Sequence, residues 1–349
     1  LFQKKGGKMR KIFKIYSFAA LTVLLIFFTA CQKGDNVRGH LVEVKRMTLE
    51  GGGDFNRLYA WEEGYAGIDW SDASLKIFNK DGKLLDRYSK EGSGPGEYNK
   101  NRVQLMGVDK NRIYLAALDK SAVLAFEVGS GKILFRDEYP VNEGSLRGGA
   151  VDPDGHIWLA LQGGAYDVAE LSPEGEILKL YLPAEEKERA MSPEKLIKSM
   201  KWIAFRGNKA VFISFMTYEL HFYSRDEKGL HLITEMIPRP VYVENNYEIK
   251  TSGNSISMTG RPGISGYAIS GETLFVKLLT DSETARKEKN RVHAFSLDGE
   301  GKGLFECRLE KGETLRNLAG VSPEGHVLAF FETEESASDT VLCELEVRK

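Results

Sequence analysis

A unit of two alternating strands joined by a tight turn recurs along this 349-residue chain and constrains its fold more than any other feature. It reads LKIFNKDGKLLDRY from Leu75, VLAFEVGSGKILFRDEY from Val123, VAELSPEGEILKLYL from Val168, LHFYSRDEKGLHLITEM from Leu220 and VHAFSLDGEGKGLFECRL from Val292. A sixth copy, VLCELEV from Val341, has a first strand and no second. Phe78, Phe126, Leu171, Tyr223, Phe295 and Leu345 fall at equivalent positions, a period of roughly 45–50 residues that lengthens before Phe295. Ahead of each copy stands another hairpin with Asp, Gly, Asn, Pro or Ser at its reversal: at Gly107, Ala150, Ala204, Ala268 and Gly320, with the segment from Arg57 serving the first copy. Two hairpins per period make a four-stranded blade. The expected fold is all-β, a six-bladed β-propeller with four-stranded blades. The last blade lacks its outer strand, and HLVEVKRMTLE at 40–50 is an orphan strand pattern that fills the vacancy, so the N-terminal strand closes the ring.

The residues before that strand have a different character. Within 9–31, basic residues (Arg10, Lys11, Lys14) precede an apolar run from Phe18 to Phe28 and then Thr29-Ala30-Cys31. This order is that of a secretory signal: the run is short for a membrane span and has no basic stop-transfer flank. The ending resembles a bacterial lipobox, which makes Cys31 the expected lipidation site and Met9 the expected start. The resulting division is 1–30 signal peptide, 31–39 lipid-proximal linker and 40–349 propeller. The protein is then anchored to a membrane by its N-terminal lipid, in the cell envelope and at the outer membrane, on either its periplasmic side or the cell surface.

Charge and cysteine content narrow the partners. The formal net charge is −2, but six of the 48 basic residues and none of the 50 acidic ones precede Cys31, so the mature chain carries −8. That sign excludes a nucleic-acid partner. Cys307 and Cys343 alternate in phase with apolar neighbours and are expected as buried thiols, with a disulfide possible in principle but not required.

Between the first two blades lies Glu91-Gly92-Ser93-Gly94-Pro95-Gly96-Glu97-Tyr98. Together with the six repeats and the Cys31 signal, this segment resembles that of the TolB-like six-bladed β-propeller lipoproteins of Bacteroides and its relatives. The resemblance covers the chain from Cys31 onward. It implies an exported, lipid-anchored propeller and supplies no established activity. Cys31-Gln32-Lys33-Gly34-Asp35 also resembles the polar, acidic signals that direct lipoproteins of that group to the surface, with Gly34 interrupting the acidic run. Physically, the glycines at 92, 94 and 96 offer backbone N–H groups to an anion, as phosphate loops do. Pro95, the lack of a Lys-Ser or Lys-Thr pair and the strand that follows point instead to a structural motif, Gly92, Gly94, Pro95, Gly96 and Glu97, crossing between blades.

Candidate chemistry is sparse. Four of the six histidines are repeat positions: His156 with His326, and His221 with His293. A site needs residues that converge, whereas these recur around a ring. No spacing of an HExxH, CxxC, GxSxG or EF-hand kind occurs, so no catalytic residue, metal ligand or cofactor is assigned. Asn56, Asn101 and Asn317, at the starts of inner strands, keep open a metal-dependent hydrolase or lactonase at the channel mouth.

The preferred expectation is a non-enzymatic binding module for a protein or glycan. Its ligand face is the one bearing the links between hairpins and between blades, including residues 71–74, 162–166, 183–200, 238–263, 280–290 and 332–339. Ser192-Pro193-Glu194 reads as a helix start, and Tyr242, Asn245, Asn246 and Tyr247 suit a lid or contact loop. Just before each inner strand stands a basic residue, Arg57, Arg102, Arg147, Lys201, Arg261 or Arg316, a collar able to hold a carboxylate or acidic sugar. Trp70, Tyr166, Trp202 and Tyr218 lie at strand ends near the same face, as rings for stacking on sugars or side chains.

Overall fold

Side chains that alternate between apolar and polar, broken every six to eight residues by turn formers, give short strands with one face to bury. A computed structural model of the protein describes residues 37–184, 201–214, 217–238, 248–252, 255–259, 263–279, 289–333 and 340–348. The chain divides into the units Leu1–Val37 and Arg38–Lys349, and the second holds all the blades. Cys31 and the expected signal, the helix start at Ser192, the contact residues from Tyr242 to Tyr247, and Arg261 lie outside the described residues.

The first strand, β1 (Val37–Thr48), precedes the blades. Blade 1 is β2 (Phe55–Trp61), β3 (Gly64–Asp69), β4 (Ser74–Asn79) and β5 (Leu84–Tyr88). Blade 2 is β6 (Val103–Asp109), β7 (Arg112–Ala117), β8 (Ala122–Gly129) and β9 (Lys132–Pro140). Blade 3 is β10 (Ser145–Val151), β11 (Ile157–Gln162), β12 (Tyr166–Leu171) and β13 (Ile177–Pro183). Blade 4 is β14 (Lys201–Arg206), β15 (Lys209–Ser214), β16 (Glu219–Asp226) and β17 (Gly229–Met236). A separate hairpin comes next, β18 (Glu248–Ser252) with β19 (Ser255–Thr259). Blade 5 is β20 (Ile264–Ser270), β21 (Thr273–Leu278), β22 (Arg291–Ser296) and β23 (Gly301–Arg308); β24 (Glu313–Val321), β25 (Val327–Thr333) and β26 (Val341–Arg348) begin blade 6. Each blade is an antiparallel meander in chain order.

β1 completes blade 6. It pairs antiparallel with β26 from His40 opposite Arg348 to Thr48 opposite Val341, with a bulge between Glu43 and Lys45. The strand starts three residues earlier than the pattern at 40–50 predicts, and β1 is also hydrogen-bonded to β23. Blades 5 and 6 therefore share one eight-stranded sheet, a feature the repeat pattern does not contain.

The core is distributed around the ring. Six clusters of buried side chains are found among the described residues, one between each pair of neighbouring blades. The six equivalent residues of the repeat, all buried on the third strand of their blade, enter these clusters singly. Phe78 packs between blades 6 and 1, Phe126 between 1 and 2, Leu171 between 2 and 3, Tyr223 between 3 and 4, Phe295 between 4 and 5, and Leu345 between 5 and 6. Burial of each contributes about 1.5–3 kcal/mol. The repeat is the signature of one interface made six times. Cys307 and Cys343 are buried free thiols in the cluster between blades 5 and 6, and burial pushes the Cys307 thiol up to about 12.

Candidate functional site

The first residues of the inner strands converge on one end of the ring. Asn56 and Arg57 of β2, Asn101 and Arg102 ahead of β6, Gln104 of β6, Arg147 of β10 and Trp202 of β14 line a cavity of about 400 Å³. Trp70 and Leu118, from the links after β3 and β7, complete its rim, and Ile68, Val103 and Leu105 supply apolar wall. Its position on the face of the inter-hairpin links is the one expected for a propeller ligand site, and its volume is within the usual ligand range of about 300–1,000 Å³.

Local backbone irregularity aims the arginines. Arg57 and Arg147 lie inside their strands, at register shifts between Phe55 and Leu58 and between Leu146 and Gly148. Arg316 sits at the matching shift between Leu315 and Asn317 of β24. The collar is therefore partly a set of bulge residues, not a row of residues preceding strands as expected from sequence. A bulge places an extra residue opposite one partner and turns its side chain off the regular alternation. Gly148 makes the bulge in β10 possible: its φ is +155°, and a Cβ there would lie 2.7 Å from Gln104 Oε1 and 3.2 Å from the Lys201 carbonyl oxygen.

Three of the collar residues share the cavity and differ in what holds them. The Arg57 guanidinium lies 3.6 Å from the centroid of Tyr267 and 5.2 Å from that of Tyr59, a cation–π clasp from blades 5 and 1. Its Nε is buried with no partner among the described residues. Tyr267 is itself fixed, donating its hydroxyl to the Ile203 carbonyl at 3.1 Å. Arg147 donates from Nε to Gln162 Oε1 at 2.6 Å. Burial, and then the charge of nearby Arg102, hold the Arg147 guanidinium below its ordinary range. Arg102 is exposed at the rim. No carboxylate is among the described residues lining the cavity.

The other collar residues stand apart. Arg316 pairs with Asp54 and lies 3.6 Å from Glu332, so its charge is already matched. Lys201, half-buried at the head of β14, does not line the cavity. Of the aromatic candidates, Trp70 and Trp202 line it, while Tyr166 is half-buried at the start of β12 and away from it. Tyr218 is buried, not exposed as its place at a strand end suggests, because its hydroxyl meets His293 Nδ1 at 2.9 Å across the interface between blades 4 and 5.

A network beneath Trp70 is not legible in the sequence. Asp69, buried at the end of β3, accepts from the backbone N–H of Asp54 and Ser71 at 2.9 Å each and from the Ser71 hydroxyl at 2.7 Å, while Lys76 donates to its second oxygen at 2.5 Å. Burial raises the carboxyl's pKa, and Lys76 and Ser71 more than reverse this, leaving it below the usual carboxylate range. The Trp70 N–H donates to the Asp54 carbonyl at 2.8 Å. The rim around Trp70 is thus pinned on both sides. The Asp69-Trp70-Ser71 run is a short-range turn signal; the partnership with Lys76 is visible only once β3 and β4 are paired.

The glycine-rich segment uses its own amides. The Gly94 N–H donates to Glu97 Oε2 at 2.9 Å and the Gly96 N–H to Glu138 Oε2 at 3.3 Å, while Lys120 donates to the carbonyls of Gly94 and Glu97 and to Glu138. Gly96 has φ +73° and faces the Phe135 ring, so a side chain there is excluded. Tyr98 anchors the exit, donating its hydroxyl to the Ala73 and Tyr88 carbonyls at 2.8 and 3.1 Å. The protein's own carboxylates occupy the amides that a phosphate would need.

On the opposite face, Asp152, His156 and Glu170 place one potential ligand atom each within 4.8 Å of one another. Their oxygens are engaged: Asp152 accepts from Trp158 Nε1 at 3.0 Å and from Arg225, His156 Nδ1 meets Glu170 at 2.7 Å, and Tyr181 donates to Glu170. Blade 6 repeats the His–Glu pair, with His326 Nδ1 3.2 Å from Glu344, but here the tyrosine donating to the carboxylate, Tyr65 at 2.9 Å, comes from blade 1. The repeat pair His156 and His326 is thus a polar tie between the turn ahead of a blade's second strand and its third strand.

Comparison with known proteins agrees with this architecture. A solved structure of a Bacteroides fragilis protein described as exported is 14% identical, covering 89% of this chain and 95% of that chain with a TM-score of 0.57. A member of the duf4221 family from Bacteroides vulgatus is 13% identical, over 90% and 100% of the two chains, at 0.48. A gluconolactonase from Xanthomonas campestris is 13% identical, over 86% and 89%, at 0.48. The first likeness speaks to the fold alone, and nothing about activity is taken from any of the three. No curated protein matches the sequence. The blade count agrees with a family match over residues 53–236, more than half of the chain, and the protein belongs to the DUF5128 family of 6-bladed beta-propellers.

Proposed function

We propose that this propeller is an exported, lipid-anchored binding module of the TolB-like lipoprotein kind, without enzymatic activity, that receives an anionic group in the cavity at the channel mouth. One observation carries the reading: Arg57, Arg102 and Arg147 meet in a ligand-sized cavity with no carboxylate among its described lining residues, in a chain whose mature charge is −8. Elsewhere the half-buried arginines Arg225, Arg291 and Arg316 each have a carboxylate within 4 Å. Arg57 and Arg147, partly desolvated with no carboxylate partner, and Arg102, exposed at the rim, favour an incoming anion, each charge-assisted bond contributing about 1.5–3 kcal/mol. The same charge opposes a divalent cation beside Asn56 and Asn101, which weighs against the metal-dependent hydrolase or lactonase. Anchoring rests on the pattern ending at Cys31 and places the protein in the cell envelope, at the outer membrane.

Titration calorimetry at low ionic strength with benzoate and its neutral analogue benzamide tests the binding reading. Benzoate is expected to bind and benzamide not, and Arg102→Glu with Arg147→Glu should weaken benzoate at least about tenfold. Equal binding by the double variant would refute the assignment, and chelator-sensitive hydrolysis of lactones by the purified protein would favour the enzyme. Labelling cells with a palmitate analogue tests the anchor, with incorporation expected in the natural chain and lost in Cys31→Ser.

A further inference from the structure

The cavity's chemistry goes beyond charge, and on the anion-binding reading above we infer that its ligand is a carboxylated sugar, a uronic or comparable acidic residue at the end of a glycan. Three kinds of group meet there. Arg102 and Arg147 are a neighbouring pair of planar donors suited to one carboxylate, and Gln162 holds Arg147 in place through Nε. Trp70 is 39% exposed on the rim, and the Asp69 network fixes the backbone on both sides of it. An indole left open to solvent on a fixed stretch of backbone is a stacking platform for the C–H face of a pyranose ring. Asn56, Asn101 and Gln104 line the same space and offer amide donors and acceptors spread along the wall, as hydroxyl recognition requires.

Other anions use this set less fully. Phosphate has no apolar face for Trp70 and only one or two hydroxyls, on a single centre, to share among amides spread along the wall. An acidic peptide would engage the arginines but bring no pyranose face to Trp70 and no row of hydroxyls to the amides of Asn56, Asn101 and Gln104. The cavity is concave and of ligand size, which suits a chain end better than a flat protein surface.

Calorimetry with five probes decides the matter: glucuronate, methyl glucoside, cyclohexanecarboxylate, inorganic phosphate and hexaglutamate. Glucuronate is expected to bind at least about tenfold more tightly than each of the others. Trp70→Ala should weaken glucuronate and cyclohexanecarboxylate alike, since both present a C–H face to the ring, while Gln104→Leu should remove much of the advantage of glucuronate, whose hydroxyls that amide would meet. Arg147→Gln should weaken glucuronate and cyclohexanecarboxylate alike. Cyclohexanecarboxylate or phosphate binding as tightly as glucuronate would overturn the sugar assignment and leave anion binding standing. Tighter binding of hexaglutamate would overturn it in favour of an acidic peptide. If none of the four anions binds, both readings fail together.

Discussion

At the scale of single residues, environment decides what a side chain can do, and His293 is a clear case. Burial, followed by the charge of Lys277, pushes its imidazole down to about 4, while an unfolded histidine keeps its ordinary 6.5. Between those values the unfolded chain binds a proton that the folded chain refuses. Stability is therefore full above pH 6.5 and falls as the pH drops toward 4. The loss is expected to reach roughly 2–3 kcal/mol, and His293→Gln should flatten the slope of urea-unfolding midpoints against pH in this window. Identical slopes for both proteins would contradict the assignment. The sequence identifies His293 as a repeat position and goes no further, because Tyr218, from the link before β16, and Lys277, on β21, meet it only through blade contact and strand pairing. The arginines carry the same lesson. Arg147 and Arg316 look alike in the chain, yet one faces another arginine and the other faces Asp54.

At the scale of elements, the strands and their order arise from alternation and turn residues, whereas their irregularities do not. Register shifts occur at Arg57, Arg147 and Arg316, and these decide which basic side chains leave the regular pleat. Nothing in the spacing announces them, since a bulge is settled by how the partner strand and the next blade fit. At Gly148 that fit leaves no room for a side chain. Gly148→Val should lower stability by about 1–3 kcal/mol, from the forced backbone and the displaced Gln104. It should also weaken benzoate binding, while Gly301→Val, at a site with nothing within 4 Å, should leave binding unchanged. Thermal denaturation and calorimetry on the two variants separate these outcomes. Within residues 238–263, expected as a contact loop, stands the hairpin of β18 and β19, and the alternation in EIKTS and SISMT is its signal in the chain.

For the molecule as a whole, closure is the central physical event. β1 buries Leu41 in the cluster between blades 5 and 6 and Met47 in the cluster between blades 6 and 1, and Arg46 donates to Glu313 at 3.1 Å. Removing residues 37–48 should cost about 3–6 kcal/mol from those two side chains alone and leave β26 as an open edge. A lower urea midpoint and concentration-dependent association are expected of the truncated protein. An unchanged midpoint would show that β1 is an ornament on an already closed ring.

Repetition in the chain is enough to dictate six blades, four strands in each and the loan of the first strand to the last blade, because each copy of the period encodes the same interface with its neighbour. Folding in three dimensions settles which charges stay unmatched, which rings stay open and where a ligand fits. Those properties belong to groups far apart in the chain, such as Arg57 with Tyr267 or Arg316 with Asp54. A periodic pattern constrains what is alike in every blade; a binding site is made from the ways in which the blades differ.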